Sequence, residues 1–257
     1  MKSVEGKLTL VTGSTKGIGR AIAEAFVKQG AKVIVHGRSS EDANTVATLI
    51  GAFSSVDGDL GTEAGCDNVI SQVSKLGNAD ILINNAGIFG TQDFFEIDDA
   101  EWLRYFQVNI MSTVRLSRAL LPSMLESDWG RVVNVASEAA IKPLPQMIHY
   151  SMTKTSVVSL ARGMAELTKG TNVTVNSVLP GPTWTAGVET YFEGLAADEG
   201  KPAQELIENY FKEHEPTSLI QRFITVEEVA QAVLFLTQNG AVNGSAQRVE
   251  GGIVRSI

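Results

Sequence analysis

Short runs of β-branched and aliphatic residues alternate along the chain with longer stretches in which apolar residues recur at helical spacing. The short runs predict strands, and the longer stretches predict helices. Strands and helices that alternate in this way form parallel sheets with helices on both faces. The strand sequences are KLTLVTG from Lys7, AKVIVHG from Ala31, GAFSSVDGD from Gly51, ADILINNAG from Ala79, GRVVNVAS from Gly130, NVTVNSVLPG from Asn172 and a short AQRVEGG near the C-terminus. The predicted helices cover residues 18–29, 41–50, 62–76, 99–125, 150–168 and about 226–237.

One segment breaks this rhythm. Residues 186–222 form a polar and aromatic insertion before the last predicted helix, with a centre, AADEGKPA, that has the composition of a mobile loop. Excursions of this length in a compact domain are usually functional. We therefore predict a substrate lid at about 186–222 within one domain that spans residues 1–257. The aromatic side chains expected to anchor the lid are Tyr191, Phe192, Tyr210 and Phe211.

The composition narrows the class of protein. With 257 residues, of which 44% are hydrophobic, the chain can form one large core and is near the usual upper size of a single domain. No run of about 18 apolar residues is present, and the N-terminus lacks the features of a secretion signal. The single cysteine, Cys66, cannot form an internal disulfide and has no partners at metal-ligand spacing. We therefore expect a cytoplasmic protein without a bound metal.

The charge argues against two classes of partner. The chain has 21 lysines and arginines against 29 aspartates and glutamates, which gives a net charge of -8. A negative protein repels nucleic acid and anionic membranes unless it carries a local basic patch, and the sequence contains no basic run. We therefore expect neither a nucleic-acid nor a membrane partner.

The first turn between a strand and a helix carries specific chemistry. TGSTKGIG, Thr12 to Gly19, follows the strand LTLV directly and opens the helix IGRAIAEAFVKQG. Glycines at this place let a diphosphate approach the backbone N–H groups of a helix N-terminus. The GxxxGxG spacing differs from the GxGxxG of most dinucleotide-binding turns, and a tight turn that needs small residues would also explain it. The flanking strand and helix favour a cofactor turn.

A second motif places a phenol and an amine one helical turn apart. In HYSMTK, Tyr150 and Lys154 would share one face of a helix. Two amphipathic side chains at a helix edge would give the same pattern, since both can pack their apolar parts and extend their polar ends to water. The remaining motifs of the chain decide between these interpretations.

Five motifs in fixed order resemble the short-chain dehydrogenase/reductase family. They are TGSTKGIG, NNAG from Asn84 to Gly87, Ser137 placed 13 residues before Tyr150, YSMTK, and PGPTWT from Pro180. The resemblance spans Lys7 to Gly252. It implies an α/β fold, a single Rossmann-like, doubly wound domain with a mainly parallel sheet of about seven strands and helices on both faces. It also implies an enzyme that binds NAD(H) or NADP(H) and moves hydride to or from a carbonyl or alcohol carbon.

The resemblance implies a catalytic role for four side chains. Tyr150 is the general acid/base that protonates the substrate oxygen, so it must titrate far below its free pKa of about 10. Lys154 supplies positive charge that favours the phenolate and holds the nicotinamide ribose hydroxyls. Ser137 donates a hydrogen bond to the substrate oxygen. Asn109, in FQVNIMS, completes a proton relay from the lysine to solvent, and a polar residue that only bends its helix is the alternative.

The same resemblance implies a set of residues that bind the cofactor. Asp59 matches the acid that contacts adenine, Asn84 stabilises the sheet beside the adenosine, and the loop from Pro180 faces the nicotinamide carboxamide. Glu250 stands where the family commonly has an aspartate, a change that bears on subunit packing. The predicted cofactor-binding residues are Gly13, Ser14, Thr15, Lys16, Gly17, Ile18, Gly19, Arg38, Asp59, Leu60, Asn85, Ala86, Gly87, Tyr150, Lys154, Pro180, Gly181, Thr183 and Thr185.

The end of the second strand indicates which nicotinamide cofactor is used. Folds of this kind that prefer NAD place an acid there, which binds the ribose 2′-OH and repels a 2′-phosphate. Here VIVHGRSS puts Gly37 at that position and Arg38 after it, while Lys16 adds a second cation within the glycine turn. Both cations suit a phosphate dianion, and two solvated surface cations are the alternative. We predict NADP(H).

The substrate is less constrained by the sequence. Members of the family act on 3-oxoacyl thioesters, sugars, steroids, small ketones and quinones, so the fold alone cannot choose among them. We expect a small-molecule carbonyl or alcohol substrate, with reduction favoured because cellular NADP(H) is mostly reduced. His149 either bonds a polar substrate group or packs on the start of its helix. Residues expected to face the substrate are Glu138, Ala139, Gln146, Met147, His149, and Tyr191 or Phe192.

The amino-acid sequence leaves three functions open. The first is an NADP(H)-dependent carbonyl reductase. The second is a 3-oxoacyl-[acyl-carrier-protein] reductase, which would need a basic patch to dock an acidic carrier protein, whereas only scattered cations such as Arg104 and Arg115 are present. The third is a non-catalytic NADP-binding regulator, against which the intact Ser137, Tyr150 and Lys154 argue.

The two long helices predicted at 99–125 and 150–168 carry more apolar residues than one face of a sheet can cover. In the family, these helices pair across a two-fold axis. We therefore expect a homotetramer, with a dimer as the fallback.

Overall fold

A sheet of seven parallel strands forms the centre of the molecule. The computed structural model describes residues 3–256 of the chain. Its strands are β1 (Leu8–Val11), β2 (Lys32–Gly37), β3 (Ser54–Asp57), β4 (Ile81–Asn84), β5 (Gly130–Val135), β6 (Val173–Pro180) and β7 (Ala246–Val249). They lie in the order β3-β2-β1-β4-β5-β6-β7, and every pairing is parallel. The predicted doubly wound α/β fold is therefore confirmed, with its topological switch between β1 and β4.

Helices cover both faces of this sheet. They are α1 (Gly17–Lys28), α2 (Ser40–Ile50), α3 (Glu63–Leu76), α4 (Asp99–Tyr105), α5 (Ser112–Glu126), α6 (Ile148–Glu166), α7 (Ala186–Glu199), α8 (Ala203–Glu213) and α9 (Val226–Gln238). Within residues 3–256, no helix is long and apolar enough to cross a membrane.

The alternation of side chains along each strand divides the core into two main layers. Leu10 and Leu82 belong to the layer that packs under α3, α5 and α6, whereas Val11 and Ile83 belong to the layer under α1 and α9. All four side chains are fully buried, and each contributes roughly 1.5–3 kcal/mol through removal from water. Because helices cover both faces of the sheet, the strands are runs of mainly apolar residues, as the sequence predicted.

The helix predicted at 99–125 contains a local irregularity. Residues Phe106–Met111 form a π-helical turn between α4 and α5. Such a turn inserts an extra residue and reorients the side chains beside it, and it occurs often at functional sites. Here it carries Asn109.

The insertion at 186–222 is not an irregular loop, because α7 and α8 occupy most of it. AADEGKPA contains the end of α7, a left-handed Gly200 and the start of α8. Phe192 and Phe211 are each 3% exposed, and both pack their rings against Phe223. An aromatic cluster therefore joins the two helices to the segment that precedes α9.

Candidate active site

The glycine turn lies between the carboxyl end of β1 and α1. Gly13 has φ +60°, a conformation that favours glycine, and a Cβ on Gly19 would lie 2.3 Å from the Gly13 carbonyl oxygen. Unlike α2, α3 and α9, helix α1 receives no side-chain N-cap hydrogen bond. Its N-terminal N–H groups therefore face an open turn, as a bound diphosphate requires.

The loop after β4 holds the turn from the other side. The Thr12 hydroxyl accepts hydrogen bonds from the Asn85 and Ala86 amides, each at 2.9 Å. The Asn85 side-chain amide donates to the Thr12 and Gly13 carbonyls at 2.9 and 3.0 Å. Asn84 is buried and donates to Asn134 on β5 at 2.8 Å, so it stabilises the sheet as predicted.

His36 is a part of this site that the sequence did not reveal. The Gly13 amide donates to its Nδ1 at 2.9 Å, and its Nε2 lies 3.1 Å from the Gly58 carbonyl oxygen. Nδ1 must therefore be unprotonated, while Nε2 carries the hydrogen. Burial lowers the pKa of His36, which keeps the ring neutral. The signal in the sequence is a lone histidine within the apolar strand VIVHG.

The loop between β3 and α3 carries the predicted adenine contacts. Asp59 turns its carboxylate toward its own loop, where Oδ1 accepts from the Gly61 amide at 2.9 Å. Leu60 is 3% exposed and belongs to the core. Because His36 contacts Gly58, one imidazole links this loop to the glycine turn.

The two predicted phosphate-binding cations lie at the ends of β2 and of the glycine turn. Lys16 and Arg38 are exposed, and neither forms an ion pair with another residue of the described part of the chain, 3–256. Gly37 is buried, and a Cβ there would lie 2.8 Å from the Thr15 Cγ2 atom. The site therefore has little room for the acidic side chain that NAD-preferring folds place at this position.

The loop after β6 closes the site opposite the glycine turn. Pro180 ends β6, and the Gly181 amide donates to the Val249 carbonyl at 2.9 Å. The Thr183 hydroxyl donates to the Gly181 carbonyl at 2.8 Å. Thr185 caps α7, and its methyl group would lie 3.7 Å from a Cβ on Gly17. The predicted carboxamide loop and the predicted diphosphate turn thus approach each other.

Tyr150 and Lys154 share one face of α6, as predicted. The Lys154 Nζ lies 5.6 Å from the centroid of the Tyr150 ring and donates to the Val135 carbonyl at 2.8 Å. Burial lowers the pKa of Lys154 to about 8. Both side chains therefore lie at the carboxyl end of β5, beside the topological switch.

The expected depression of the tyrosine pKa is not found in this structure. Burial raises the pKa of Tyr150 above its ordinary value, while its hydrogen bond with Ser137 acts in the opposite direction. A nearby lysine favours the phenolate, but ionising a phenol away from water is costly, and here burial is the largest influence on the pKa of Tyr150. Tyr150 is therefore protonated at neutral pH, which is the form that can give a proton to a carbonyl oxygen.

Asn109 lies beside the lysine and joins three elements. Its Oδ1 accepts from the Ile88 amide at 2.8 Å, and its Nδ2 donates to the Ile88 carbonyl and the Thr153 hydroxyl, each at 3.0 Å. A Cβ on Gly87 would lie 3.2 Å from Asn109 Oδ1 and 3.5 Å from Lys154 Nζ. The π-helical turn thus brings the buried amide to the edge of the lysine pocket.

Ser137 follows β5 and precedes a short 3₁₀ turn, Glu138–Ala140. Its Oγ accepts from the Ala139 amide at 3.1 Å and donates to Glu138 Oε2 at 2.7 Å. Glu138 is only 6% exposed, and burial raises its pKa to about 7. Ser137, Tyr150 and Lys154 therefore lie together in one site. The carboxyl group of Glu138 is hydrogen-bonded to Ser137.

Some residues expected to face the substrate are buried in this structure. His149 is 1% exposed and packs edge-on against Tyr105, with ring centroids 4.1 Å apart, so the packing interpretation of His149 holds. Ala139 is fully buried, and Phe192, the alternative to Tyr191, packs in the aromatic cluster. Both carry apolar side chains that local packing removes from water. Tyr191 and Gln146 remain exposed, and Met147 is partly exposed.

Comparison with known proteins identifies the family. The model of the short chain dehydrogenase family matches residues 7–196, and this chain belongs to that family. An uncharacterized oxidoreductase of Bacillus subtilis (strain 168), YvrD, is 54% identical over 98% of this chain and 97% of its own. The 3-oxoacyl-[acyl-carrier-protein] reductase FabG of Aquifex aeolicus (strain VF5) is 33% identical over 97% and 98% of the two chains.

Among solved structures, L-sorbose reductase from Gluconobacter frateurii, in complex with NADPH and L-sorbose, superposes with a TM-score of 0.91. It is 32% identical, and the alignment covers 98% of each chain. The present chain is accordingly an oxidoreductase that acts on CH–OH and C=O groups with a nicotinamide cofactor.

Proposed function

We propose that this protein is an NADP(H)-dependent carbonyl reductase. The observation that carries the proposal is the meeting of Ser137, Tyr150 and Lys154 at the carboxyl end of β5, beside the glycine turn. When bound, the nicotinamide supplies the hydride. Tyr150, protonated because of its burial, donates the proton to the substrate oxygen, and Ser137 orients that oxygen.

Lys154 and Asn109 have supporting roles in this proposal. Lys154 is buried at the base of the site, and its ammonium can bind the ribose hydroxyls of the cofactor. Asn109 holds the loop after β4 through two hydrogen bonds to Ile88 and contacts α6 through Thr153. In a relay, protons would pass from the region of Asn109 by way of Lys154 to Tyr150, where they replace the proton given to the substrate.

The preference for NADP(H) is supported by two features of the β2 end. Lys16 and Arg38 are exposed cations in the described chain without ion-pair partners, and the buried Gly37 replaces the acid that would repel a 2′-phosphate. The similar L-sorbose reductase is described in complex with NADPH, which agrees with this assignment. The remaining cofactor contacts are proposed as predicted, from the glycine turn, Asp59 and Leu60, the loop Asn85 to Gly87, and the loop Pro180 to Thr185.

A second candidate function, 3-oxoacyl-[acyl-carrier-protein] reductase, is favoured by the similarity to FabG. The cationic side chains near the site argue against this function, because they form no basic patch. Arg104 is paired with Glu101 at 2.6 Å, which compensates its charge, and Arg115, which donates to the neutral amide of Gln107 at 2.8 Å, is a single, partly exposed cation and does not form a basic patch for an acidic carrier protein. A regulator without catalytic activity would not need the Ser137, Tyr150 and Lys154 arrangement.

The cellular setting and the assembly are part of the proposal. Cys66 is a buried free thiol, which suits a reducing cytoplasm.

Exposed apolar side chains on α4, the π-helical turn and α6 support a homotetramer: Leu103, Phe106, Ile148 and Met152.

A panel of carbonyl compounds tests the function. Sugars, small ketones, quinones and 3-oxoacyl thioesters would each be added to the protein with NADPH, and the loss of NADPH absorbance followed. We expect turnover with at least one free carbonyl compound and weaker turnover with the thioesters. Preference for a thioester on a carrier protein would support the second candidate, and NADPH binding without any turnover would support the regulator.

A further inference from the structure

The buried carboxyl group of Glu138 forms a hydrogen bond with Ser137, the proposed catalytic serine. Ser137 Oγ donates to Glu138 Oε2 at 2.7 Å, and Glu138 is 6% exposed. A hydroxyl has only one proton to donate. While Glu138 is an ionised carboxylate, that proton is committed to it, and Ser137 cannot donate to a substrate oxygen at the same time.

Charged and titratable groups approach Glu138 from α6, from α8 and from the segments that follow the 3₁₀ turn and α8. Lys142, after the 3₁₀ turn, forms an ion pair with Glu215, which follows α8. Lys142 lowers the pKa of Glu138 and Glu215 raises it. Tyr150 on α6 and Tyr210 on α8 also interact with Glu138, and an ionised Glu138 raises the pKa of both phenols.

The surroundings decide the protonation of Glu138 near neutral pH. Burial is the largest cause that raises its pKa, and the hydrogen bond from Ser137 opposes it, with a net pKa of about 7. Glu138 therefore exists in both forms over a range near neutral pH. An exposed glutamate would be ionised throughout that range.

We infer that Glu138 is a positioning residue whose protonation decides whether Ser137 can donate its hydrogen bond to the substrate carbonyl. When protonated, Glu138 donates its own O–H to Ser137 Oγ, and the Ser137 proton is free to turn toward the substrate. When ionised, Glu138 takes the Ser137 proton. The proton of Glu138 stays on Glu138, and the proton consumed in reduction still comes from Tyr150. The inference rests on the proposed role of Ser137.

The direction of the pH effect follows from this switch. Carbonyl reduction requires the protonated form, so kcat/KM should be highest below the inflection and fall about tenfold per pH unit above it. Ionised Glu138 also raises the pKa of Tyr150, so the tyrosine keeps its proton across this range and does not itself cause the decline.

Two variants distinguish this switch from a structural role. In Glu138→Gln, the amide can donate to Ser137 Oγ as the protonated acid does, but it cannot titrate. We expect this variant to keep its activity above neutral pH and to lose the inflection. Glu215→Gln removes a negative charge and frees Lys142, and both changes stabilise ionised Glu138, so the inflection should move to lower pH.

The pH profiles of kcat/KM, measured with any carbonyl compound that the panel identifies as a substrate, test the proposed switch. A flat profile for Glu138→Gln together with a shifted profile for Glu215→Gln supports the switch. An unchanged inflection in Glu138→Gln, or an equal loss of activity at every pH in that variant, overturns it.

An infrared titration tests the pairing without a substrate. The C=O stretch of a buried carboxylic acid should disappear as pH rises through neutrality in the wild type, and it should be absent from Glu138→Gln. In Ser137→Ala, its midpoint should move to higher pH, because the serine hydrogen bond favours the ionised form. No such band in the wild type, or an unmoved midpoint in Ser137→Ala, overturns the inference. A shifted band in a protein that reduces no carbonyl compound would instead remove the proposed function and leave the pairing intact.

Discussion

The ammonium of Lys154 donates to the main-chain carbonyl of Val135 at 2.8 Å, while its distance to the Tyr150 ring centroid is 5.6 Å. The lysine is therefore fixed by β5, the strand that also delivers Ser137. Its ammonium keeps two further donors that the Val135 carbonyl does not use. This arrangement makes Lys154 a fixed point from which the ribose of a cofactor could be held.

Substitution of Tyr150 separates a catalyst from a binding protein. Tyr150→Phe keeps the ring and removes the proposed proton donor, so turnover should fall by about 10² to 10⁴ while the melting temperature and the Kd for NADPH change little. The measurement is steady-state kinetics with the best compound of the panel. Retention of more than about a tenth of wild-type turnover would falsify the proton-transfer role.

Lys154→Met should show a different signature. Because the ammonium is proposed to contact the ribose, its loss should raise the Kd for NADPH and lower kcat together. Fluorescence titration with NADPH, compared with Tyr150→Phe, separates the two roles. Unchanged NADPH affinity in Lys154→Met would contradict the ribose contact.

Arg38 should discriminate between the two nicotinamide cofactors. Arg38→Ala removes a charge-assisted hydrogen bond to the 2′-phosphate, so NADPH binding should weaken by roughly 1.5–3 kcal/mol with little effect on NADH. Lys28→Ala, an exposed cation at the opposite end of α1, serves as the control and should change neither affinity. Equal losses for both cofactors in Arg38→Ala would contradict the assignment.

His36 should make both stability and cofactor binding depend on pH. Its pKa is lowered in the folded protein, although Asp57 and Asp59 act in the opposite direction. Its contribution to the free energy of unfolding is therefore complete above the unfolded pKa of about 6.5 and is lost as pH falls through the folded value. Below that value, a protonated Nδ1 would oppose the Gly13 amide, and the Kd for NADPH should rise.

Two variants of His36 test this assignment. His36→Asn can still accept from Gly13 and should bind NADPH better than His36→Leu, which has no acceptor. His149, whose pKa burial also lowers, contributes its own acid dependence of stability and must remain in both proteins. Equal NADPH affinity in the two variants would show that the bond to Gly13 does not matter for binding.

The α7–α8 segment should respond to ligands if it acts as a lid. Hydrogen exchange at residues 196–203 should slow when NADPH and a substrate bind together, because closure over the site protects the turn. Residues 160–166, at the end of α6 far from Tyr150, provide the internal reference. Exchange that is unchanged in the ternary complex would count against a lid.

The assembly can be tested at the exposed face of α6. Light scattering at micromolar concentration should give the mass of a tetramer, or of a dimer. Met152→Glu should dissociate it, since Met152 is 37% exposed within the proposed interface. Leu49→Glu, at an exposed position on α2, is the matched control and should leave the mass unchanged. A monomeric wild type would end the proposal.

The sequence by itself determined the order of strands and helices, the glycine turn and the shared face of Tyr150 and Lys154. These features depend on local periodicity, and four-residue spacing places two side chains on one helix face whatever the helix packs against. The alternation of strands and helices already predicted the parallel sheet, the family motifs implied it as well, and the structure confirmed it.

Only the tertiary structure decided the electrostatics of the site. The bonds from Lys154 to Val135, from Asn109 to Ile88 and from His36 to Gly58 join residues 19, 21 and 22 positions apart, so no local pattern encodes them. The raised pKa of Tyr150 and the titration of Glu138 near neutrality arise from burial. Burial is a property of the packed molecule, because water is excluded only when elements distant in the sequence come together.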